Sequence, residues 1–153
     1  MSTVPPAAGK LHLVVGYDGS APAVRALDAA VNLLHGRDGD IDVVYIAHLT
    51  SLEMMSADAI AEMDESFDEL AQELRAQAAK QLAGREEERW RFQQRRGLIG
   101  EQLVEEAALT LGNHPGDTVA IVVGSSSQAS HRIVGSVAVG LARHSPVPLM
   151  IVP

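Results

Sequence analysis

Residues 11–34 read LHLVVGYDGSAPAVRALDAAVNLL. Leu11 to Val15 is a short apolar run with β-branched residues, closed by Gly16, which is the composition of a buried strand. Asp18, Gly19 and Ser20 make a turn. Ser20 or Asp18 stands where a helix cap is needed, and Pro22 suits a first helical turn. Val24, Leu27, Ala30, Val31 and Leu34 then keep helical spacing up to His35-Gly36. A buried strand thus turns directly into a helix, and the fold depends on whether the rest of the chain repeats this unit.

It does. IDVVYIA (41–47) reads as a second buried strand. From Ser56 to Ala83, Ile60, Met63, Phe67, Leu70, Leu74, Ala78 and Leu82 fall three or four apart, the stripe of an amphipathic helix that Gly84 stops. Its acidic first half and basic second half complement the helix dipole. Trp90 and Phe92 alternate with charged residues, as in a half-exposed edge strand. Ile99, Leu103, Ala107 and Leu111 mark a third helix, TVAIVVG (118–124) a strongly buried strand, GSVAVGLARHS a short helix, and VPLMIVP a last strand flanked by prolines. The expected strands lie near 11–16, 41–48, 88–95, 118–124 and 148–152. Strict β-α alternation gives an α/β fold, an open five-stranded parallel sheet with helices on both faces and right-handed crossovers. Ligands bind such sheets beyond the strand carboxyl ends, where the strand order reverses. The loops after Val15 and Val123 meet there.

Composition narrows the function. The chain has 153 residues, no cysteine and a formal net charge of -8. That balance argues against a nucleic-acid binder, which needs a basic face, and the lack of cysteine excludes disulfide and thiol chemistry. No apolar run approaches the ~20 residues that span a bilayer. The expectation is a cytoplasmic protein with a disordered Pro/Ala-rich leader over 1–9, one domain over 10–153, and no membrane or nucleic-acid partner.

The stretch VVGSSSQASHRIVGS (122–136) leaves a buried strand through Gly-Ser and enters a helix. Backbone N–H groups at such a helix start bind anions. Ser125, Ser126, Ser127 and Ser136 add hydroxyls, and Arg132 adds charge. The alternative is that Gly124 only turns the chain and Ser136 only caps a helix. The stretch is neither a P-loop nor GxGxxG. Asp18 either accepts hydrogen bonds from a ribose or base, or forms an Asx turn. Met54 and Met55 either cover a ligand cavity or pack a helix start. The six histidines are scattered without metal-ligand spacing, and DESFDEL reads as a solvated helix face. No nucleophile elbow is present, because GSSSQ is not G-x-S-x-G.

Together, VVGYDGSAPAVRALDAAVNLL, VVYIAH, GEQLVEEA and the ending VAIVVGSSS…IVGSVAVGLARHSPVPLMIVP resemble the universal stress protein family over essentially the whole chain after the leader. The resemblance implies strand order 3-2-1-4-5, a Rossmann-like, adenine nucleotide alpha hydrolase-like sheet. Some members of that family bind ATP and others do not. Binding members carry Gly-x2-Gly-x9-Gly-Ser/Thr around the phosphates. Gly124 matches the first glycine, and Gly135 with Ser136 the closing pair. Ser127 occupies the second glycine position, and only seven residues separate it from Gly135, so the loop lacks one glycine and is two residues short. Asp18 matches the position near the adenosine, and Ile46 the apolar strand-two residue beside the adenine. Ser127 and Arg132 are candidate substitute donors.

The expectation is therefore a stress-response regulatory module that binds ATP, with magnesium accompanying it, through Asp18, Ile46, Gly124, Ser127, Arg132, Gly135 and Ser136. No catalytic residue is assigned, and a slow ATPase is the most that the residues would support. Family resemblance and the apolar edge strand 148–152 imply a homodimer through that strand, and a regulatory protein is a further partner. The alternative function is a family member that binds no nucleotide and acts through protein–protein contacts.

Overall fold

A computed structural model describes residues 9–48, 55–85, 89–125 and 135–153. Five strands, β1 (Leu11–Gly16), β2 (Gly39–His48), β3 (Trp90–Gly97), β4 (Thr118–Gly124) and β5 (Leu149–Val152), alternate with four helices, α1 (Ala21–Leu34), α2 (Ala57–Gln81), α3 (Ile99–Asn113) and α4 (Ser136–His144). The sheet order is β3-β2-β1-β4-β5, and every neighbouring pair is parallel. Trp90's strand is at one edge, as its charge alternation predicts, and β5 is at the other. The bounds of β1 and β4 are as expected, and those of β2, β3 and β5 differ by one or two residues, the usual scatter of element boundaries.

β1 shows why both sheet faces are covered. Leu13 and Val15 pack with α1 and α2 residues such as Leu27, Leu34 and Leu74. Val14, one residue out of phase, packs with Leu103, Ala107, Ala138 and Leu141 of α3 and α4. A strand buried on both faces needs a continuous apolar run, and VVIL-rich β1, β2 and β4 supply it.

Two helix stripes depart from the spacing read in the sequence. In α2, Ala71, Leu74 and Ala78 are buried, whereas Leu70 is 40% exposed. In α3 the buried set is Leu103, Glu106, Ala107 and Thr110, while Leu111 is exposed. The helix is rotated so that a carboxylate, Glu106, faces inward. It does so because β2 and β3 supply polar partners. Arg91 Nη2 donates to Asp42 Oδ2 and to Glu106 Oε1, both at 3.0 Å. Gln93 Nε2 donates to the same two oxygens at 2.6 and 2.8 Å. Burial, then the neighbouring Asp42, pushes the Glu106 carboxyl above its ordinary range. Asp42 Oδ1 is buried without a partner among the described residues.

Candidate functional site

The sheet order reverses between β1 and β4, and a cavity of about 410 Å³ opens there at their carboxyl ends. Its size lies within the roughly 300–1,000 Å³ typical of small-molecule sites. Asp18, Ile46, Gly124, Gly135 and Ser136 all line it. Ser127 and Arg132 lie outside the described residues. So does Met54; Met55 is exposed and does not line the cavity.

Each element contributes for a local reason. Gly19 adopts φ 78°, which favours glycine, and a Cβ there would lie 3.1 Å from Gln77 Oε1. The turn it makes presents Asp18. Asp18 Oδ1 accepts from the Ser20 backbone N–H at 3.0 Å, an Asx turn, and Ser20 rather than Asp18 caps α1. Asp18 itself remains exposed at the cavity. The Asx-turn reading of Asp18 therefore holds, and its exposed carboxylate also borders the cavity.

Ile46, buried on β2, forms an apolar wall with Val44, Leu103 and Val123. Gly16 leaves that wall open, since a Cβ there would sit 3.3 Å from Leu103 Cδ1 and 3.4 Å from Val123 Cγ1. Gly124 is needed for another reason. A Cβ on it would lie 2.7 Å from Pro22 Cβ, in the first turn of α1. Its φ is not positive, so packing rather than backbone conformation requires glycine here. The Ser125 N–H is already used, donating to Val152 O at 2.8 Å.

The opposite wall is the start of α4. Its N-cap is Gly135, with φ -58° and ψ 158° and no side-chain cap bond. Ser136 is thus the first helical residue and not the cap, contrary to the simpler reading of the sequence. The first intrahelical bond runs from Val139 N–H to Gly135 O at 3.1 Å. That leaves the N–H groups of Ser136, Val137 and Ala138 without intrahelical acceptors, at the positive end of the dipole and on the cavity wall. Among the described lining residues the one charged side chain is Asp18. Tyr17, also at the cavity, stays a neutral phenol: burial, then the charges of Asp18 and Asp28, push its pKa up. One end of the cavity is thus apolar with a hydrogen-bond acceptor beside it, and the other offers backbone donors to an anion.

Two of the histidines that are scattered in sequence meet in the structure. His12 is 2% exposed. Its Nδ1 lies 2.9 Å from Asp40 Oδ1 and its Nε2 2.8 Å from Asp117 Oδ2. Burial pulls its pKa down, but the hydrogen bonds to Asp117 and Asp40 outweigh that and hold it above 6.5. His114 lies beside it, ring centroids 4.2 Å apart. Linear spacing hides this cluster, because it joins residues as far apart as 12 and 117. Strand register reveals its first step, since His12 pairs directly with Asp40.

A parallel sheet in this order, with a cavity at its switch point, defines a Rossmann-like α/β protein. The model of the universal stress protein family matches residues 11–153, and the chain belongs to that family. Solved structures agree on the fold. The chain is similar to the universal stress protein UspA from Lactobacillus plantarum, with 19% identity, 95% of this chain and 99% of that one covered, and a TM-score of 0.76. It is similar to a universal stress protein in complex with cAMP, with 23% identity, 95% and 98% covered, and a TM-score of 0.63. It is also similar to a family protein from Arabidopsis thaliana with AMP bound, with 13% identity, 93% and 90% covered, and a TM-score of 0.50. No curated protein matches the chain significantly by sequence. Among the described residues no helix is long and apolar enough to cross a membrane.

Proposed function

We propose that this protein is an adenine-nucleotide-binding regulatory module of the stress response. The observation that carries the reading is the polarity of the switch-point cavity, with Ile46 and Asp18 at one side and, at the other, the N–H groups of Ser136, Val137 and Ala138, which have no intrahelical acceptors. An adenine fits the apolar wall, a ribose hydroxyl donates to Asp18, and phosphate oxygens accept from the start of α4. Two structurally similar family proteins are described as bound to cAMP and to AMP, which supports the same ligand class. ATP with magnesium is the ligand proposed here, with Ser127 and Arg132 as added donors. The missing glycine and the two-residue deletion weaken the hold on the outer phosphates, so ATP binds only modestly better than the diphosphate.

Those same two departures favour one other reading, a family member that works through protein contacts without nucleotide. Mass spectrometry of protein purified under native conditions separates the two. Co-purified adenine nucleotide, lost in Gly135→Val, supports the pocket. Gly135 has φ -58°, which valine adopts without strain, so that loss would report steric blockage. Protein that arrives without nucleotide and fails to take up added ATP at millimolar concentration supports the protein-contact reading. In either case we propose a homodimer through β5, whose free edge would otherwise invite association.

A further inference from the structure

The amino-terminal ends of the central strands carry a second group of ligating atoms, at the opposite end of the sheet from the cavity. His12 is the second residue of β1, Asp117 directly precedes β4, and His114 follows the last residue of α3. One ligand atom from each of these three residues lies within 4.8 Å of the others. Strand β1 separates them from Asp18 by six residues, about 20 Å of extended chain. We propose that His12 Nε2, His114 Nδ1 and Asp117 Oδ2 form a binding site for a divalent cation of the zinc class.

Three observations support it. The first is the ligand set. Two imidazoles and a carboxylate suit zinc and its neighbours and disfavour magnesium and calcium, which take oxygen ligands. The second is spacing. His12 Nε2 and His114 Nδ1 lie 2.8 and 3.9 Å from Asp117 Oδ2. A tetrahedron with metal–ligand bonds of ~2.1 Å has edges of ~3.4 Å, so the two distances straddle the required value. His114 and Asp117 are partly exposed and can shift by about half an ångström. The third is the support of the buried ligand. His12 Nδ1 bonds Asp40 Oδ1 at 2.9 Å, and a carboxylate on the far nitrogen fixes the tautomer that leaves Nε2 free to ligate. A cavity of about 100 Å³ borders two of the three ligands, His12 and His114, but not Asp117; it has room for a water beside the two imidazoles. On binding, the metal takes the place of the proton that His12 Nε2 shares with Asp117, and that proton leaves to solvent.

The test uses the full chain, freed of metal with a chelator and dialysed. Calorimetry with zinc chloride is expected to give one site per chain, with micromolar or tighter affinity. Cobalt chloride should give visible absorption bands of four-coordinate cobalt. Zinc at a hundredfold excess over its dissociation constant should raise the melting temperature by about 5 °C or more. His114→Ala and Asp117→Asn, at partly exposed positions, should each weaken binding at least tenfold, whereas His48→Ala, at the carboxyl end of β2, should leave it unchanged. Failure to bind zinc at about a hundred micromolar overturns the proposal. So does an affinity unaltered in either His114→Ala or Asp117→Asn, because the metal would then sit elsewhere.

Discussion

Asp18 and Gly124 look alike in a motif and differ in physical role. Asp18 holds its own turn through the Ser20 N–H and borders the cavity with the rest of its carboxylate. Asp18→Ala should therefore weaken nucleotide binding about tenfold, the loss of one hydrogen bond of about 1.4 kcal/mol. Asp18→Asn keeps an acceptor and should lose less; a calorimetric titration of the three proteins checks the order. Gly124 is held by contact with Pro22. Gly124→Ala should lower stability by about 1–3 kcal/mol through overpacking, read as a lower urea midpoint, even with no nucleotide present. If Gly124→Ala instead unfolds at the wild-type midpoint and only loses ligand, the glycine serves the phosphates and not the packing.

The αβ alternation was legible because apolar runs and caps are local, and β1, α1 and β4 follow from short stretches of residues. The facing of α3 was not. Ile99, Leu103, Ala107 and Leu111 fit a helical stripe as well as Leu103, Glu106, Ala107 and Thr110 do, and Arg91, Gln93 and Arg95 on a neighbouring strand select the second. That choice has a pH signature. Glu106's folded pKa is raised above 4.5, so the folded state holds this proton more tightly than the unfolded chain. The associated stability is complete below about pH 4.5 and is lost as pH rises through the raised value. Glu106→Gln mimics the protonated form. The mutant should gain stability relative to wild type between pH 4 and pH 7, seen as urea midpoints that diverge in its favour; parallel midpoints would contradict a raised pKa. At the sheet edge, β5 leaves one row of backbone groups unpaired by the other described strands. Light scattering at micromolar concentration should report a dimer, and Ile151→Asp should shift it to monomer. A wild-type monomer would remove the proposed interface.

Across the molecule, one sheet presents different chemistry at its two ends. The carboxyl end joins an apolar wall, a carboxylate and helix-start N–H groups that have no intrahelical acceptors. The amino end joins two imidazoles and two carboxylates. Five of the seven pocket residues named from sequence, Asp18, Ile46, Gly124, Gly135 and Ser136, converge on the first site. They were legible because strand ends and helix starts are themselves legible. The second site was not, because His12, Asp40, His114 and Asp117 meet only once the parallel register is known. The decisive measurement is a calorimetric titration of nucleotide-free protein with ATP and magnesium, with the diphosphate and cyclic monophosphate run alongside. The account predicts saturable binding of one nucleotide per chain, ATP within about tenfold of the diphosphate, and loss of the signal in Gly135→Val. No heat with any of the three, together with no displacement of a fluorescent ATP analogue at millimolar concentration, would contradict it.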